Sequence, residues 1–179
     1  LALQGGLENL AGGVMLLLFK PFQVGDYIIQ DQSGGTEGTV YKIEMFYTTL
    51  TTVDNKHVII PNGRLSNSTI INVTAQALRK LEIKVGISYD SDIKKAKKLL
   101  YHILQEDPGT KSDKEMQVFV DELGDSAVVL GLRVWVPTEK YWNIKWRLNE
   151  KIKIAFDANE IGIPYPQMDV HVVEKRTEE

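Results

Sequence analysis

Residues Leu1 to Phe19 make an apolar segment shorter than a bilayer-spanning helix and richer in glycine than a solvated helix tolerates. On helical spacing, Leu3, Leu7, Leu10, Val14 and Leu17 fall on one face, and Ala2, Gly5, Gly6, Asn9, Gly12 and Gly13 on the other. Four glycines in place of alanine cost such a helix roughly 4 kcal/mol. Leaving its five large side chains in water forgoes about 10 kcal/mol more. An isolated version does not persist. The helix is therefore expected to pack against copies of itself, the smooth face letting backbones approach closely. The competing reading is a core helix inside one soluble domain, and an unfilled glycine face speaks against it.

Composition narrows the rest. A chain of 179 residues can hold one large domain or two small ones with workable cores, and two are favoured here. It opens inside an apolar pattern without a methionine, so further sequence is expected upstream. No run reaches the eighteen or so apolar residues of a spanning helix, and nothing resembles a signal peptide, so this portion is expected to be mostly aqueous. Without cysteine there are no disulfides and no thiolate zinc sites, which suits a reducing cytoplasm. The net charge of -3 is spread evenly: four basic and six acidic residues up to Ala77, seventeen and eighteen beyond it. Neither part has the charge of a polyanion binder.

Pro21 stops the first helix, and Phe22 to Ile29 reads as entry into a strand. Thr39 to Thr52 and His57 to Pro61 are further strands, separated by the tight turn Asp54-Asn55-Lys56 and closed by Asn62-Gly63. Short strands at this spacing predict a small, strongly bent β-barrel from about Gly25 to Val73. After Ala77 the pattern changes. Leu81, Ile83, Val85 and Ile87 alternate with polar residues as a half-buried strand. Asp90 or Ser91 then caps a helix with Ile93, Ala96, Leu99, Leu100, Ile103 and Leu104 on its buried stripe. Met116 to Val120 and Ala127 to Val136 form a strand pair, Trp142 to Glu160 a helix, and Tyr165 to Glu174 a last strand. The order β-α-β-β-α-β is ferredoxin-like, with a final strand able to leave that sheet.

Five blocks carry a resemblance: Leu3 to Val14 (LQGGLENLAGGV), Lys20 to Tyr27 (KPFQVGDY), Val58 to Gly63 (VIIPNG), Ile87 to Asp92 (ISYDSD) and Pro164 to Val170 (PYPQMDV). In this order, over nearly the whole chain, they resemble the small-conductance mechanosensitive channel (MscS) family. The resemblance implies a homoheptameric, tension-gated and weakly selective channel of the bacterial inner membrane, releasing ions and small solutes in hypoosmotic shock. This portion would be cytoplasmic and would lack the first two membrane helices and most of the third. It implies an α+β chain in four parts: residues 1–20, the end of the pore helix and an amphipathic helix at the bilayer; 21–74, an Sm-like β domain; 75–164, a ferredoxin-like α/β domain; and 165–179, a strand of an inter-subunit parallel β-barrel.

Residue by residue, the resemblance places Leu1 in the lower leucine ring of the pore and helix kinks at Gly5 and Gly13. Leu3 and Leu7 are where tension-sensing helices push on the pore, and Asn9 meets the barrel near Gly63. Phe19 and Phe22, bracketing Pro21, dock the helix onto the barrel. Seven such terminal strands form a lower barrel, and side openings between subunits filter solutes; of the strand's two alternating sets, Met168, Val170 and Val172 against Asp169, His171 and Val173, the first is taken to line the lumen because it is the unbroken apolar face. Two departures stand out: the Gln30 to Glu37 loop is longer than the family pattern, and Gln23 replaces a residue that is often basic, which weakens a lipid head-group contact there.

No catalytic or ligand chemistry is expected. His57, His102 and His171 lie in unrelated elements without ligand spacing, so no metal is anticipated. The glycine pairs lack the flanks of a phosphate loop, so no nucleotide cofactor follows. Asp90-Ser91-Asp92 reads as a capping cluster and Lys94, Lys95, Lys97 and Lys98 as a solvated helix face, so the chain is not expected to be an enzyme. An oligomeric RNA-binding module is the alternative, because Sm-like and ferredoxin-like domains occur in RNA binders. The acidic net charge and the missing aromatic-basic sheet motif weigh against nucleic acid.

Overall fold

The computed structural model describes residues 4–30 and 35–172, a mixed α+β chain with two antiparallel sheets in two compact units, 1–77 and 78–179. Each unit has its own core.

The N-terminal unit begins with α1 (Gln4–Phe19), followed by β1 (Tyr27–Gln30), β2 (Glu37–Ile43), β3 (Tyr47–Thr51), β4 (His57–Pro61), α2 (Asn62–Ser66) and β5 (Ile70–Asn72). The sheet order is β4-β3-β2-β1-β5, every pairing antiparallel, with a bulge in β2 between Val40 and Lys42 that bends the strand. β4 and β5 are left as edges, so the sheet does not close on itself among the described residues. Its core is Phe22, Ile28, Val40, Leu50, Ile60 and Leu65, joined by Leu16 of α1. α1 ends as Pro21 demands: Lys20 takes a left-handed conformation (φ 46°) and its N–H donates to the Leu16 carbonyl. Behind the turn, Asp26 accepts from the Gln23 N–H and from Asn72 Nδ2, both at 2.8 Å, fixing where the strands start. The sequence reading took Asn62-Gly63 as a closing turn; instead they open the short helix α2.

The C-terminal unit contains β6 (Leu78–Ile87), α3 (Ile93–Glu106), β7 (Gln117–Leu123), β8 (Val128–Pro137) and α4 (Tyr141–Ala158), with sheet order β6-β8-β7. Leu81, Ile83 and Ile87 of β6 and the alternating Val128, Leu130, Leu132, Val134 and Val136 of β8 form one apolar core with Ala96, Leu100 and Leu104 of α3 and Ile144, Leu148, Ile152 and Phe156 of α4. The cap of α3 is Asp92, not Asp90 or Ser91: its Oδ1 accepts from the N–H groups of Lys94 (2.8 Å) and Lys95 (3.1 Å). Ser91 is used elsewhere, its Oγ accepting from the Gly162 N–H.

The expected last strand does not form in the described part of the chain. Residues 163–172 have no regular structure, and Met168, Val170 and Val172 are exposed. A strand needs a neighbouring backbone, and among the described residues no strand pairs with this segment.

At the far end of α3, Asp107 is buried and accepts from Arg147, from Lys151 Nζ (2.9 Å) and from the Gly109 N–H (2.9 Å). Burial alone raises this carboxyl's pKa, but the bonds from Arg147, Lys151 and Gly109 outweigh it and hold the group well below the usual carboxylate range. Asp107→Asn is expected to destabilise the unit by about 2 kcal/mol, because the two cations lose their partner. The linkage has a definite sign. The folded pKa lies below the unfolded one, so the contribution is complete above roughly pH 4 and is lost as pH falls toward the folded value. Acid titration of unfolding, wild type against Asp107→Asn, will show the two curves converging below that pH.

Candidate functional site

The Val58 to Gly63 block builds a seat for α1. β4 ends at Pro61, and Asn62 follows with its side chain fully buried. Asn62 Nδ2 donates to the Glu44 carbonyl (2.8 Å), and its Oδ1 accepts from the Thr48 hydroxyl (2.8 Å). Its N–H donates to the Phe46 carbonyl at 2.9 Å. These bonds lock the Met45–Phe46 turn beside the start of α2, presenting backbone rather than side chains to α1. Only glycine fits against such a surface. A Cβ on Gly12 would stand 2.6 Å from the Asn62 carbonyl oxygen, and one on Gly13 would overlap the Met45 carbonyl oxygen. Asn9, one turn earlier, accepts at Oδ1 from the Gly63 N–H at 3.0 Å, and Glu8 accepts from Asn67 Nδ2 at 3.1 Å. Asn9, Gly12, Gly13 and Leu16 are thus the gripping stripe of α1.

The smooth face therefore divides in two. Gly12 and Gly13 pack within their own chain, correcting the expectation that the whole face meets copies. Gly5 and Gly6 have open space around them. α1 stays helical through Gly13, where the missing side chain allows close approach to Met45; Gly5 lies in the first turn. Leu7, Val14, Met15, Leu17 and Leu18 are exposed, an uncovered apolar surface around most of the helix.

Of the gating contacts read from the sequence, Asn9 and Gly63 are brought together directly. Phe22 docks as expected, at 1% exposure, but Phe19 does not: it is 68% exposed, and Leu16 takes the place expected for it. The reason is the left-handed turn at Lys20, which sends Phe22 into the core while Phe19 stays on the outer side of the last helical turn. Leu1 and Leu3 lie outside the described residues. Asn62 was read only as part of a closing turn, and Met45 and Leu16 were not singled out by sequence reasoning. The Pro-Asn-Gly motif held the signal for the first, but the role of Met45 is played by its carbonyl, which no side-chain pattern reveals.

Comparison with known proteins places these elements. Residues 6–75 match the family model described as mechanosensitive ion channel, beta-domain, and residues 81–163 the one described as mechanosensitive ion channel MscS, C-terminal. A small-conductance mechanosensitive channel of Edwardsiella ictaluri is 42% identical over 172 residues, covering 96% of this chain and 59% of that protein. The crystal structure of Helicobacter pylori MscS in its closed state superposes with a TM-score of 0.90 at 31% identity, over 97% of this chain and 68% of that one. Arabidopsis thaliana MSL1, seen by cryo-EM, shares the fold at 19% identity, with a TM-score of 0.75 over 92% of this chain and 60% of its own. The chain spans about three fifths of the length of the curated relatives it matches.

Proposed function

The chain belongs to the MscS family of mechanosensitive ion channels, and we propose that it is the part of a tension-gated, weakly selective channel subunit that couples the pore helix to a solute-filtering vestibule. The observation that carries this is the divided surface of α1. A stripe of four residues fastens the helix to its own β unit, while the rest of an almost uncharged helix is left apolar and uncovered. No described helix is long and apolar enough to cross a membrane. Neighbouring copies around an axis and the bilayer face are the surfaces that cover it.

In this reading the subunit is one of seven in the bacterial inner membrane. Leu1 belongs to the lower constriction, and Leu3 and Leu7 receive the push of tension-sensing helices. Gly5 gives α1 its freedom to pivot at its first turn. The bond from the Gly63 N–H to Asn9 is the contact that a tilting α1 must break. An Sm-like assignment for 21–74 is supported by the order β4-β3-β2-β1-β5, whose free edges suit strand joining between subunits. A ferredoxin-like assignment for 75–164 is supported by the succession β6-α3-β7-β8-α4 with both helices packed into one core. The exposed Met168, Val170 and Val172 then find strand partners in neighbouring copies, closing a lower barrel. The relatives' names give the RNA-binding alternative no support.

Patch recording of the full-length protein under suction tests the reading. Step-like currents that open with tension and discriminate weakly between ions are expected; silence at every tension up to membrane rupture overturns it. Native mass spectrometry is expected to give seven copies.

A further inference from the structure

We infer that the free edge of β7, under the overhang of α3, is a docking site for an extended acidic peptide segment of a partner protein. β7 is the last strand in the order β6-β8-β7, so the backbone donors and acceptors on its outer side have no strand partner among the described residues. Such edges are usually blunted. Here the blunting is confined to one half: the register shifts between Val120 and Glu122, and Asp121 in the bulge is held by Lys84 Nζ at 2.7 Å. The other half, Gln117 to Val120, keeps regular register and carries neither proline nor bulge.

That open half has walls. Lys97, Lys98 and Tyr101 of α3 stand over it, Met116 and Val118 form its apolar floor, and Arg133, stacked 4.9 Å from the Phe119 ring centre, closes the far side. The groove so formed is about 730 Å³. A strand laid along it would extend the sheet through main-chain hydrogen bonds, and its alternating side chains would point by turns to the α3 roof and to the Arg133 side.

Charge selects the occupant. The lining holds three cations and no carboxylate. Arg133 already pairs with Glu82, but Lys97 and Lys98 have no carboxylate partner among the described residues. Two adjacent ammonium groups over an unfilled strand edge favour a segment with acidic residues at alternate positions. The described edges and open segment of a second copy do not supply one. Its other long edge, β6, carries Arg79, Lys80 and Lys84 against Glu82, and residues 163–172 hold a single acid, Asp169. The acidic half of β7 is already bent by its bulge.

Fluorescence anisotropy on the full 179-residue chain, with fluorescein-labelled acetyl-Glu-Val-Glu-Val-Glu-amide as probe, tests the site. Saturable binding is expected. The Lys97→Glu, Lys98→Glu double variant should weaken it by about tenfold or more. Methylating alternate backbone nitrogens of the peptide should abolish it. Equal binding of a lysine-for-glutamate peptide, unchanged affinity in the double variant, or indifference to backbone methylation overturns the proposal. So does a photo-crosslinker at position 101 that captures a second copy of the chain in place of the peptide.

Discussion

Gly13→Val will lift α1 from its seat at a net cost of about 3 kcal/mol to the N-terminal unit. The new Cβ overlaps the Met45 carbonyl oxygen and stands 2.7 Å from Asn62 Nδ2. The first is backbone and the second belongs to a fully buried side chain held by two hydrogen bonds, so neither can swing aside. The helix must move instead, breaking the Gly63 to Asn9 bond and exposing Leu16. A few tenths of a kcal/mol of regained helix propensity do not offset this. Amide hydrogen exchange should report it as local opening of α1 increased on the order of a hundredfold, with protection in β6 and β8 unchanged. Gly6→Ala is the matched control. Open space surrounds that position, so in the single chain it should stabilise the helix by up to about 1 kcal/mol. A wild-type exchange rate for Gly13→Val would show that the seat does not hold the helix.

What the sequence made legible follows the physics of each element. Pro21 ended α1, the period-two run of Leu81 to Ile87 became β6, and the apolar stripe of α3 fell on Ala96, Leu100 and Leu104, because these patterns are local and burial enforces them. The contact of Asn9 with Gly63 came from the resemblance and not from any pattern, since the two residues are far apart in the chain and joined by a side chain to a main-chain N–H. Asp107 was invisible for the same reason. Its partners Arg147 and Lys151 lie on another helix, and nothing near Pro108-Gly109 announces a buried charge. The α1 periodicity correctly separated a small face from a large one but assigned the small face to neighbouring copies. Half of it was taken by the chain's own backbone, a surface without side chains and therefore without a sequence signature. The segment after Pro164 alternates like a strand, yet alternation describes only the faces of a strand and not the presence of a backbone beside it.

The two phenylalanines around Pro21 separate what holds one chain together from what other surfaces must cover. Phe22 is enclosed by a core that includes Leu16, Ile28, Leu50 and Leu65, so Phe22→Ala should cost about 4 kcal/mol, removing both the transfer energy of the ring and the packing of its neighbours. Because the two units have separate cores, denaturant unfolding should show the N-terminal transition moving to lower denaturant while the C-terminal one keeps its midpoint. Phe19→Ala, only a turn of chain away, removes a ring that is 68% exposed and should shift stability of the single chain by no more than about 0.5 kcal/mol. In the full-length protein the gap between them narrows if α1 is covered by neighbouring copies or by lipid. Phe19 then sits in a desolvated contact, and its loss should cost on the order of 1 kcal/mol or more there while remaining silent in the single chain. Measuring both variants in both settings decides the matter: a Phe19→Ala effect that is equally small in the full-length protein would mean that the outer face of the last α1 turn stays in water, and the coupling role of that turn would then rest on Phe22 and Leu16 alone.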